Sequence, residues 1–180
     1  MNLLGKIACY YIPTAIKRKN LSHLIRLSAR AFECEPPDIR GKSYQQCLQE
    51  FAFFTQKAAT EVIARKGNVQ KVKKRLYRHA FMMGYNLRKL FKVRTPDEVM
   101  LISKRLYDIL KIDFQGDSSG NITIKQCYFS SYYSKEICQL ISALDEGIAA
   151  GLSGGGKLSF TQRITEGSSC CQGRLIMPEV

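Results

Sequence analysis

The chain of 180 residues lacks any apolar run approaching the roughly 18–20 residues that a bilayer-spanning helix requires. It lacks a glycine-rich phosphate loop and a dinucleotide fingerprint, which removes the common nucleotide-binding classes. None of its seven cysteines forms a Cys-x-x-Cys pair, so the usual spacing of zinc ribbons and dithiol redox enzymes is absent. There are only two histidines, His23 and His79, both in basic stretches, and no serine–histidine–acid set can be assembled around them. No internal repeat or low-complexity tract occurs. The opening stretch MNLLGKIACYYIPTAIKRKN is apolar only briefly, is interrupted by Lys6 and has no Ala-x-Ala-type end. The reading is therefore no signal peptide, a cytoplasmic location and reduced, mostly buried thiols.

What is present is a globular composition, 45% hydrophobic, with a net charge of +13. The charge is placed unevenly. Residues 1–111 hold 23 Lys/Arg against 8 Asp/Glu, whereas residues 112–180 hold 5 against 7. From 71 to 94 there is no acid at all, and Lys71, Lys74, Arg75, Arg78 and Lys89 share a basic stripe. Such a face suits an anionic membrane surface. Nucleic acid is not expected, because no binding motif is present and no aromatics interleave with the basic face. A second copy of the chain is a further candidate partner.

Periodicity divides the chain into a basic N-terminal part, 1–43, and an α+β part, 44–180. Residues 3–33 read as amphipathic helices broken near Pro13 and again near Asn20–Ser22, followed by the linker ECEPPDIRGKS, where two prolines and a glycine defeat helix. Helices are predicted over 44–66 and 69–93, the latter with Val72, Leu76, Ala80, Met83, Leu87 and Leu90 on one face. Thr95 and Pro96 start the next helix, which runs to about Leu110. QGDSSGN (115–121) is a turn, and 122–129 alternates as a strand. Ser134 caps a long helix through Leu152, and SGGGK ends it. Residues 157–164 and 171–177 then form a hairpin. The fold class is α+β: N-terminal helices, then an antiparallel sheet packed against a long helix.

The order from RLYRHAFMMGYNLRKL through EICQLISALDEGIAAGLSGGG to FTQRITEGSSCCQGRL resembles the 4-vinyl reductase small-molecule-binding domain, related in fold to TRAPP subunits. The closing QRITEGSSCCQGRL is also similar to the L-2-amino-thiazoline-4-carboxylic acid hydrolase family. The first resemblance implies an enclosed apolar pocket and, in several relatives, a zinc ion. Its ligand positions fall on Cys138 and Cys171, but also on Phe160 and Arg163. Phenylalanine cannot coordinate and an arginine repels the ion, so the expected zinc content is well under one per chain and no cofactor is expected.

Two functions follow. In the first, a small, largely apolar molecule, aromatic, acyl or isoprenoid, binds in a pocket between the long helix, the sheet and the Met82–Met83 helix, contacting Met83, Cys138, Ile141, Leu144, Gly147, Gly151 and Phe160. Small residues four apart, Gly147 and Gly151, allow close approach of a ligand or of another element. In the second, the chain hydrolyses a cyclic amidine carboxylate. Cys171 is then the nucleophile, Arg163 favours its thiolate and grips the substrate carboxylate, and Glu166 moves protons.

Overall fold

A computed structural model describes residues 12–65 and 68–178. The brief apolar stretch that opens the chain, residues 1–12, expected to add an apolar foot to the basic face at a membrane, falls almost entirely outside the described residues. Helix α1, Thr14–Phe32, buries Leu21, Leu24, Ile25 and Leu27 on one face. It does not break near Asn20–Ser22: Asn20 Nδ2 donates to Ile16 O at 3.0 Å within the helix, and the adjacent Leu21 is fully buried. Burial of that apolar stripe outweighs the weak helix preference of Asn and Ser. Helix α2, Tyr44–Ala64, begins at a Ser43–Gln46 capping box. Helix α3 is Val69–Phe91, and α4, Pro96–Ile109, starts at a Thr95–Glu98 capping box with proline in its first turn.

The chain then enters β1 (Ile112–Gly116), the first of two strands expected before the next helix and the one whose bounds the sequence left open. It directly follows the helix through Lys111 at φ 54° and is only five residues long, so its alternation, Ile112 and Phe114 inward, was hidden against the helical pattern beside it. Asp117 organises the following turn, its Oδ1 accepting from Ser119 N at 2.9 Å and Asn121 N at 3.0 Å. Strand β2 is Asn121–Cys127, followed by a 3₁₀ turn, Tyr128–Ser131.

The expected long helix is two. α5, Lys135–Ile141, is capped by Ser134, whose Oγ accepts from Ile137 N at 3.3 Å, and α6 is Ala143–Ser153. They abut at Ser142, whose hydroxyl donates back to Gln139 O at 3.1 Å and so competes with the helical bonding there. Strands β3 (Lys157–Gln162) and β4 (Cys171–Ile176) follow, joined by a 3₁₀ turn, Ile164–Glu166, and Gly167 at φ 88°.

The four strands form one antiparallel sheet in the order β1-β2-β4-β3. The last strand therefore lies inside the sheet, with Ile124 opposite Cys171 and Phe160 opposite Gly173. Together with the helices this is an α+β fold. One hydrophobic core runs from Leu21 and Leu48 through Leu76 and Val99 to Phe114 and Leu152.

Helices α3 and α6 make the most extensive contact in the fold, and three glycines explain it. A Cβ on Gly151 would strike Phe81 O and lie 2.6 Å from Tyr85 N; one on Gly147 would strike Tyr77 O; one on Gly84 would strike Ile148 O and sit 3.1 Å from Gly151 Cα. The two backbones touch where side chains would hold them apart.

Candidate functional site

Two spaces lie beside α6. The larger is a cavity of about 90 Å³ walled by residues of α1 (Leu24), α2 (Phe51), β1 (Ile112), β2 (Cys127), the 3₁₀ turn (Phe129), α5 (Cys138 and Ile141), α6 (Leu144 and Asp145) and β4 (Cys171). A smaller space of about 30 Å³ lies among α4, the sheet and α6, and shares Leu110, Asp145 and Ile148 with the first. Two aromatic contacts stiffen the larger one: Phe51 meets Phe129 edge-on at 5.8 Å, and Phe129 stacks on Tyr133 at 5.5 Å.

The polar groups on the wall are few and mostly engaged. Thr55 donates to Phe51 O at 2.7 Å, so its 2.5 Å contact with Tyr133 is a bond in which the tyrosine donates. Ser130 donates to Cys127 O at 2.7 Å. Ser142 accepts from Arg163 Nη2 at 3.3 Å. Thr165 lines the cavity with a buried hydroxyl that has no partner.

Asp145 is the exception in kind. It stands in the first turn of α6, where the positive end of the helix dipole favours a carboxylate. It is half-buried and lines both spaces. Tyr107 Oη, from α4, donates to Oδ1 at 2.8 Å. Among the described residues, no donor reaches Oδ2. Loss of hydration raises the Asp145 carboxyl from 3.8 to about 6, against the Tyr107 hydrogen bond and the charge of Arg163, which lower it. The Tyr107 phenol is itself pushed well up by burial and by facing Asp145.

The thiols behave in the same way. Burial pushes Cys127 up to about 12. Cys171 is raised by burial even though Ile164 N donates to its Sγ at 3.4 Å and Arg163 is near enough to lower it. Desolvation outweighs the guanidinium at Cys171, so the Cys127 and Cys171 thiols of the wall are neutral at neutral pH.

Of the residues singled out from the sequence, Cys138, Ile141, Leu144 and Cys171 come together on the cavity wall. Arg163 stands just behind it, bonded to Ser142 and lying over the Phe160 ring at 4.6 Å. Glu166 is held outside by Gln139 Nε2 at 2.9 Å and Lys135 Nζ at 3.7 Å. Gly147 and Gly151 face α3, and Met83 is buried on α3, which contributes no residue to either cavity wall. The side opposite the sheet is closed by α1 and α2 instead.

Zinc does not fit these residues. Among the described residues, no group of three or more His, Cys, Asp or Glu could hold a metal ion, and the Phe160 and Arg163 positions pair with each other. Cys170 is not a cavity residue and lies 3.5 Å from Gln162 Nε2.

Asp145 and Tyr107 escaped the sequence reading, yet one signal was there. Ile141, Asp145, Ile148 and Leu152 follow helical spacing, so an acid occupies the apolar stripe. No protein-family model matches the chain, and no curated protein matches it. Among the described residues no helix is long and apolar enough to cross a membrane.

Proposed function

We propose that the chain binds a small, largely apolar molecule in the cavity between α1, α2, the α5–α6 pair and the sheet, in an arrangement of the 4-vinyl reductase type. The observation that carries this is the cavity itself: interiors are otherwise close-packed, and an apolar-lined space of about 90 Å³ in the middle of a core is a costly feature unless it is filled. A cavity of about 150 Å³ holds a benzene ring. The present one suits a body of a few heavy atoms, so a whole isoprenoid or long acyl chain would require the walls to part.

The wall supports binding over hydrolysis. A hydrolase reading has Cys171 correctly placed on the cavity, but its thiol is raised by burial and Glu166 points away from it. Neutral thiols pack like small hydrophobes. Native mass spectrometry of the purified full chain tests the proposal: a copurified small molecule, released on denaturation, is expected. Turnover of a cyclic amidine carboxylate that is abolished by thiol alkylation would replace binding with hydrolysis.

A further inference from the structure

The cavity has one charge on its wall. Among the described residues that line it there is no Lys, Arg or His, and the only carboxylate is Asp145. The charged and titratable groups around that carboxylate are Tyr107, which donates to Oδ1, Glu146 beside it, Arg163 behind the wall, Tyr133 on the wall, and the thiols Cys127 and Cys171. Glu146 is turned outward to Lys73 at 3.6 Å, and Arg163 is committed to Ser142 and Phe160. That leaves Oδ2 as an acceptor with no donor among the described residues, on a side chain that lines both spaces.

An apolar guest would leave this oxygen dry and unpaired, the least favourable state for a buried carboxylate. An anionic guest would add like charge beside it. A guest with a cationic donor does the reverse: it supplies the missing hydrogen bond, charge-assisted, and keeps its apolar body against Phe51, Phe129 and Ile141. Size limits the rest, because about 90 Å³ leaves room for only a few carbons beyond the head group.

We infer that the occupant of the cavity is a small primary alkylammonium whose nitrogen donates to Asp145 Oδ2. This rests on the reading of the cavity as a ligand site. Most neutral polar groups of the wall are already engaged, by Thr55, Cys127 O and Arg163; the Thr165 hydroxyl is left over, and among the described wall residues Asp145 supplies the only charged acceptor for the head group.

Three isosteric probes separate the two levels. Isobutylamine, isobutanol and isobutyrate are titrated into the full chain at pH 7.5, with binding read by methyl chemical shifts of the cavity leucines and isoleucines. The amine is expected to bind at least about tenfold tighter than the alcohol, and the acid weakest. Asp145→Asn keeps an acceptor for Tyr107, and should remove the preference for the amine while leaving alcohol binding nearly unchanged. Tyr107→Phe keeps the carboxylate and should keep the preference. If the alcohol binds and the amine shows no advantage in the wild-type chain, the cavity remains a ligand site and the ammonium assignment is wrong. Retention of the amine preference in Asp145→Asn also overturns the assignment. If none of the probes shifts a cavity resonance, the ligand-site reading falls with it.

Discussion

Tyr107 and Asp145 are 38 residues apart in sequence and are joined by a 2.8 Å hydrogen bond, the phenol of α4 donating to the carboxylate of α6. The bond crosses the seam between the smaller and larger internal spaces and is the only donor contact to Asp145 among the described residues. Removing it should cost stability. Tyr107→Phe leaves a buried carboxylate with no hydrogen bond, and the loss expected from urea unfolding at pH 7.5 is about 1–3 kcal/mol. The Asp145 carboxyl should also titrate higher than in the wild type, since the bond lowers it. An unchanged carboxyl resonance in a pH titration would show that the hydrogen bond is not formed in solution.

Asp145 gives a pH dependence with a definite sign. Its folded value is raised from 3.8 to about 6, so between those values the folded chain holds a proton that the unfolded chain has lost. Stability from this group is therefore greatest at acid pH and falls as pH rises from about 4 to about 6, by on the order of 3 kcal/mol. Asp145→Asn has no such group. The difference in unfolding free energy between wild type and variant should move in favour of the variant as pH rises through that window, then level off. A difference that is flat from pH 4 to 8 would contradict the burial of an ionised Asp145.

The glycines of the α3–α6 crossing lead to a packing prediction. Gly151→Ala places a Cβ against backbone atoms, Phe81 O and Tyr85 N, which cannot move aside as a side chain could. The helices must separate, and the expected cost is at least about 1–3 kcal/mol in urea or thermal unfolding. A variant as stable as the wild type would mean that the helices do not meet at this position.

Thiol reactivity should follow exposure. Cys34 is exposed, whereas Cys47 and Cys171 are buried and Cys127 is pushed up to about 12. With iodoacetamide at pH 7.5 and site-resolved mass spectrometry, Cys34 should be alkylated well before Cys47, Cys127 and Cys171, which react only on unfolding. Rapid modification of Cys171 in the folded chain would instead favour the hydrolase reading.

The basic face of α3 is less uniform in three dimensions than along the chain. Arg75 is paired with Glu33 at 2.6 Å, Lys73 with Glu146, and Arg88 turns in toward Leu152 O at 3.5 Å. Lys71, Lys74 and Arg78 remain on the outer side with the exposed Met82. Binding to anionic vesicles through this face should weaken steeply with salt and fall more than about tenfold on reversing Lys74 and Arg78 to Glu, since each basic residue near such a surface contributes about 1 kcal/mol. Equal sedimentation with neutral and anionic vesicles would leave the face as solvated charge.

Much of this protein is legible in short stretches of its sequence. The apolar stripe of Val72, Leu76, Ala80 and Met83, the caps at Thr95 and Ser134, and the alternation of 122–127 and 171–176 each express an interaction reaching no farther than about four residues. These features determine helix and strand, and with them the α+β class. The tertiary structure alone decided which surfaces meet. It placed β4 between β2 and β3, turned Gly147 and Gly151 toward α3, paired Arg75 with Glu33, and brought Tyr107 to Asp145 beside Cys127 and Cys171. The reason is physical. A helix face announces by its period that it will be buried, but it does not say against what. That choice belongs to the summed burial of the whole core, and an acid within an apolar stripe acquires its meaning only when the element packed against it is known.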